Sequence, residues 1–173
     1  LEIRKRLDDQ REIANTYNTI AIIYSQMLTD TLEASYGKAF IDTIYQENLT
    51  IDNDYSREGI RYNLMSLELR REINDLRGIS ASLANLGLVY QNSGNFSMAR
   101  KTFNEYIGQP EEYLDDDSRV AVYIGLGKSY IYEKDYNSAI IYLNQAYRLA
   151  RKIDKKIYVV DAAELLSEVY ERQ

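Results

Sequence analysis

Apolar and small residues recur along this chain at the spacing i, i+3, i+4, i+7, which marks one face of an α-helix. Leu83, Leu86, Gly87 and Tyr90 form one such set, Tyr123, Leu126, Gly127 and Tyr130 a second, and Ala163, Leu166, Ser167 and Tyr170 a third. Consecutive sets lie 40 residues apart. A fourth, Tyr17, Ile20, Ala21 and Tyr24, stands 66 residues before the Leu83 set. Any amphipathic helix shows one set. Three in register at one spacing predict an internal repeat.

The segments after two of these helices repeat as well. Gly94-Asn95-Phe96 is followed by Ala99 and Phe103, and Lys134-Asp135-Tyr136 by Ala139 and Leu143. A polar turn, then an aromatic, then a small residue describe a helical hairpin. Gly87 with Ala99 and Gly127 with Ala139 allow close approach, and larger neighbours fill the flanks. Leu1–Asp9 also parallels Leu67–Asp75 in sequence. On that reading residues 1–8 are the tail of a preceding second helix. An irregular first repeat covers 9–75, repeats cover 76–115 and 116–156, and 157–173 is the first helix of a further repeat. The array is then expected to be a fragment of a longer protein.

The excess length lies in 27–55. Leu32, Tyr36, Ala39, Phe40 and Ile44 fall at helical spacing and predict an extra helix near 31–46. Two readings stay open there, an inserted helix and a degenerate repeat. Gly108-Gln109-Pro110 predicts an early helix end. Asp115-Asp116-Asp117-Ser118 offers N-caps for the next helix, and no second acidic cluster at calcium-loop spacing accompanies it, so no metal site is expected. The basic runs Arg4-Lys5-Arg6, Arg70-Arg71 and Arg151-Lys152 read as cations at helix C-termini, where they complement the dipole.

Composition narrows the chemistry. The 173 residues contain no His and no Cys, which removes the commonest general base, the usual zinc ligands and every Ser-His or Cys-His nucleophile. No phosphate-cradling Gly-rich loop and no paired acids in a recognisable pocket motif are present, so no enzyme activity and no cofactor are expected. The net charge is −6, which argues against nucleic acid as a partner. No apolar run reaches the roughly 18 residues of a membrane span. One Pro and eight Gly suit an all-α chain of about eight helices.

The constellation Leu83, Leu86, Gly87, Tyr90, Ala99 and Phe103, with Tyr123 to Leu143 behind it, resembles the tetratricopeptide repeat family. The 40-residue form is similar to arrays in bacterial signalling and regulatory proteins, and to eukaryotic scaffold proteins that hold signalling peptides. The resemblance implies an α-solenoid of antiparallel helix pairs in a right-handed superhelix, with first helices lining the concave side. Off the core stripe those helices carry Asn15, Asn18, Ile22, Asn85, Leu88, Gln91, Lys128, Tyr132, Glu164 and Glu168, the candidate peptide-binding residues. Asn pairs with a peptide backbone, Lys128 with a carboxylate, and Glu164 and Glu168 with a basic segment. The Lys-rich first repeat of a carboxylate clamp is absent. The expected function is a protein- or peptide-binding scaffold, the sensory or interaction region of a larger bacterial protein. The alternative is a spacer or self-association domain, with a homo-oligomer as its product. The compartment stays open, with the cytoplasm favoured over the periplasm.

Overall fold

The chain folds as a succession of antiparallel helices. The computed structural model describes residues 2–36 and 51–172. Among these, α1 spans Glu2–Tyr36, α2 Asp54–Glu72, α3 Leu76–Asn92, α4 Phe96–Ile107, α5 Asp116–Tyr132, α6 Tyr136–Lys152 and α7 Lys156–Arg172, with one 3-10 turn at Glu111–Tyr113. No strand occurs among the described residues. The architecture is the all-α solenoid of helix pairs that the repeats imply: each helix packs on its sequence neighbours, and α1, α3, α5 and α7 also pack on one another in succession.

Local chemistry explains where the helices start. Asp75, Asn95, Asp115 and Asp135 each stand at an N-cap and accept the backbone N–H three residues on, from Gly78, Met98, Ser118 and Ser138. Asn53 does the same for α2 in a reciprocal capping box with Ser56. The turns share one conformation. Asn74, Gly94, Lys134 and Asp154 all have φ between 53° and 76°, each one residue before the next cap or helix start. In each turn the following N–H reaches back to a helix carbonyl: Asp75 to Arg70, Asn95 to Tyr90, Asp135 to Tyr130, Lys155 to Ala150. This left-handed closure satisfies carbonyls that a helix end leaves open.

The join from α4 to α5 differs. Pro110 cannot donate a helical N–H, so α4 ends at Ile107, as the Gly108-Gln109-Pro110 signal predicts. The fully buried Tyr106 then hydrogen-bonds the Asp115 carbonyl at 3.3 Å, tying the end of α4 to the cap of α5. Burial pushes its hydroxyl well above the usual tyrosine range.

The core explains the glycines. A Cβ on Gly125 would stand 2.5 Å from Cε2 of Phe103, and one on Gly87 would run into the same ring. Phe103 of α4 is thus a wedge between α3 and α5, admitted because both helices present no side chain there. Leu143 repeats the arrangement over Gly127, where a Cβ would lie 2.5 Å from Cδ2. Leu83, Leu86, Ala99, Phe103 and Leu126 belong to one buried cluster, and Ala139 and Leu143 to another.

Three sequence expectations change. The turn expected near residue 8 does not form, and α1 runs unbroken through Leu7-Asp8-Asp9. Asp8 stands where Asn74 takes its positive φ in the parallel segment, and here helix propagation prevails over the turn. Residues 31–36 of the extra helix are a continuation of α1, and the rest of that span, to 46, lies outside the described residues. Leu32 of this extension, and Leu28 one turn before it, are buried against Ile51 and Tyr55. The run Arg4-Lys5-Arg6 accordingly sits near the start of a helix, not its end.

Candidate functional site

The inner side of the array follows from which helices meet. α1 touches α3, α3 touches α5 and α5 touches α7, whereas α2, α4 and α6 do not meet one another to any comparable extent. The odd-numbered helices are therefore the closely spaced layer, and the even-numbered ones splay on the outside. A surface lined by the closer layer is the concave one.

Ile22, Leu88, Lys128 and Glu168 occupy equivalent positions of α1, α3, α5 and α7, five residues into each repeated set. Ile22 is exposed, and the other three are half-buried. Glu164 is exposed one turn earlier on α7. Glu168 forms an ion pair with Arg172 at 2.7 Å. The row runs from apolar through basic to acidic.

The remaining candidates serve the seams between helices. Asn18 accepts from Asn85 Nδ2 at 2.9 Å, joining α1 to α3. Asn15 accepts from Arg70 Nη2 at 2.8 Å. Gln91 is only 5% exposed and faces Gly125 of α5, so it packs inside the α3–α5 seam. Tyr132 lies on Phe96, ring centroids 4.4 Å apart.

Arg70 is the polar centre that sequence reasoning missed. Read as a dipole-facing cation, it is instead 4% exposed. Its Nη1 donates to the Gly78 carbonyl at 2.7 Å and to Ser82 Oγ at 2.8 Å. Ser66 Oγ meets Ser82 Oγ at 3.1 Å and donates to the Ala14 carbonyl at 2.8 Å. Helices α1, α2 and α3 are thereby locked in one register. Desolvation lowers the Arg70 pKa, and the nearby Asp75 opposes that shift. No pattern of charge or spacing distinguishes Arg70 from its exposed neighbour Arg71; burial alone does.

Tyrosine stacking repeats between pairs. Tyr24 stacks on Tyr62 at 5.9 Å with Tyr17 alongside, and Tyr130 stacks on Tyr142 at 5.6 Å with Tyr123 alongside. Tyr17/Tyr24 and Tyr123/Tyr130 share a seven-residue spacing on the inner helix. The hairpin of α1 with α2 is therefore built like that of α5 with α6, despite the long segment between its helices. The three consecutive acids are also accounted for: Asp115 caps α5, Asp116 pairs with Arg119, and Asp117 pairs with Lys155 at 3.0 Å. No cluster of three or more metal-ligating side chains occurs among the described residues. No described helix is long and apolar enough to cross a membrane.

No curated protein matches the chain. A family model described as tetratricopeptide repeat matches residues 80–152, the stretch from α3 through α6 that holds the Phe103 and Leu143 wedges. The helix pairs of residues 80–152 thus match the tetratricopeptide repeat, a family that generally mediates protein–protein interaction or scaffolding.

Proposed function

We propose that the chain binds a protein segment along the row Ile22, Leu88, Lys128 and Glu168, as the interaction region of a larger bacterial signalling or regulatory protein. The observation that carries this reading is the row itself. Four equivalent positions on the closely spaced helices present an ordered change of chemistry, from apolar to basic to acidic. An extended segment lying across them would place an apolar side chain at Ile22 and Leu88, a carboxylate at Lys128 and a basic side chain at Glu164 and Glu168. Asn15, Asn18, Asn85 and Gln91 hold the helices that carry the row, and Tyr132 supports its edge through Phe96.

The test is affinity capture from source-cell lysate, comparing wild type, a Lys128→Glu/Glu164→Lys variant, and a Lys101→Glu control on the outer helix α4. A partner held by wild type and the control but lost from the double variant supports the reading. A partner kept by all three places binding elsewhere and overturns it. Recovery of the bait alone, with a concentration-dependent mass, favours self-association instead.

A further inference from the structure

Among the described residues, the outward face of α1 takes no part in the core or in the concave row. Along it Ile13 is 45% exposed, Ile23 52% and Met27 40%, with Ile20 half-buried between them. These positions recur at seven, three and four residues and make one apolar stripe. From Ile13 to Met27 it is about 21 Å long at 1.5 Å per residue, or four helical turns. At its N-terminal end lies a shallow recess of about 300 Å³, lined by Asp9, Glu12, Ile13, Thr16 and Tyr17. Neither Asp9 nor Glu12 has an ion-pair partner among the described residues, and Arg11, the nearest cation in sequence, is directed to Asp75 at 3.9 Å.

The recess combines two carboxylates, the ring of Tyr17, which packs tilted against Tyr62, and an aliphatic side chain. That set suits a Lys or Arg side chain: the carboxylates take the charge, Tyr17 the cation–π contact, and Ile13 the methylene stem. Next to it, the stripe offers apolar cover to a straight element of about four turns. We propose that this face docks an amphipathic helix of a partner protein, with a basic residue in the Asp9/Glu12/Tyr17 recess and its apolar side along Ile20, Ile23 and Met27. The face is separate from the concave row and does not depend on it.

A titration of the intact chain, followed by fluorescence anisotropy, tests this. The probes are two labelled synthetic helices of about 16 residues, matched to the stripe. Both carry one Leu face; one has Lys on the polar flank and the other Glu. The Lys peptide is expected to bind saturably, and more weakly as salt is raised. Asp9→Lys/Glu12→Lys should weaken it about tenfold, and Ile23→Asp/Met27→Asp by at least as much. The concave variant Lys128→Glu/Glu164→Lys should leave it unchanged. Circular dichroism checks folding, and the first pair, at exposed polar positions, keeps the test decisive should the second misfold. No binding of the Lys peptide, equal binding of the Glu peptide, unchanged binding by the α1 variants, or loss confined to the concave variant would each overturn the proposal. So would sedimentation showing a second copy occupying the face.

Discussion

Three residues carry more of this fold than their neighbours. Gly87 and Gly125 together admit the ring of Phe103, so even a methyl group added at either one must displace a packed aromatic. We expect Gly87→Ala to cost about 1–3 kcal/mol in denaturant unfolding, as overpacked cores do. An unchanged midpoint would show that the ring moves aside freely. Arg70 acts through donors. Arg70→Ala leaves the Gly78 carbonyl, Ser82 and Asn15 without their charged partner, at an expected cost of about 3 kcal/mol. Arg70→Met removes the same donors but keeps most of the volume, and should cost less. Equal losses in the two variants would mean that the lost hydrogen bonds, not packing, are the larger part.

At the scale of elements, the repeated turn is the part most open to change. Lys134 holds φ at 61°, a conformation that costs an L-residue with a Cβ, whereas Gly94 meets the same requirement without one. Lys134→Gly should therefore stabilise the chain by up to about 1 kcal/mol, after the entropy that glycine loses on folding. A destabilised variant would mean that the Lys134 side chain contributes more than the backbone relief. The cap beside it gives a pH dependence. Hydrogen bonds from the Ser138 hydroxyl and backbone N–H hold the Asp135 carboxyl below its usual value of 3.8. A depressed folded-state pKa stabilises above the unfolded value and loses that contribution as pH falls through the folded one. Thermal stability should thus decline below pH 3.8 partly through Asp135. In Asp135→Asn, which still caps, that part of the slope should vanish.

For the molecule as a whole, each pair leans on its neighbours, so damage should spread by proximity. Gly127→Ala disturbs Leu143 between α5 and α6. Hydrogen exchange should accelerate first in α5, α6 and α7, and least in α1 and α2, which lie beyond α3 and the Arg70 network. Uniform acceleration would instead mark the array as a single cooperative unit. The overlong α1 stands apart from this logic. Its 35 residues run about twice the length of α3, α5 or α7, and its outward stripe is a surface that the pairing of helices does not consume.

Local periodicity, caps and breakers act within a few residues, so the sequence by itself determined the helix class, the hairpins around Gly94 and Lys134, the early end of α4 at Pro110 and the membership of Leu83, Leu86, Phe103 and Leu143 in the core. Tertiary structure decided what depends on partners distant in sequence. Tyr170 matches Tyr90 and Tyr130 in pattern yet is 59% exposed, because no described helix covers that face of α7. Arg70 matches Arg71 in type yet is buried, because α1 and α3 close over it. Asn15, Asn18 and Asn85 carry the polar character of ligand-facing residues, but helices far apart along the chain meet through them. The choice between a turn and a continuous helix near Asp8 rested on small differences in local free energy, which a repeat pattern alone does not resolve.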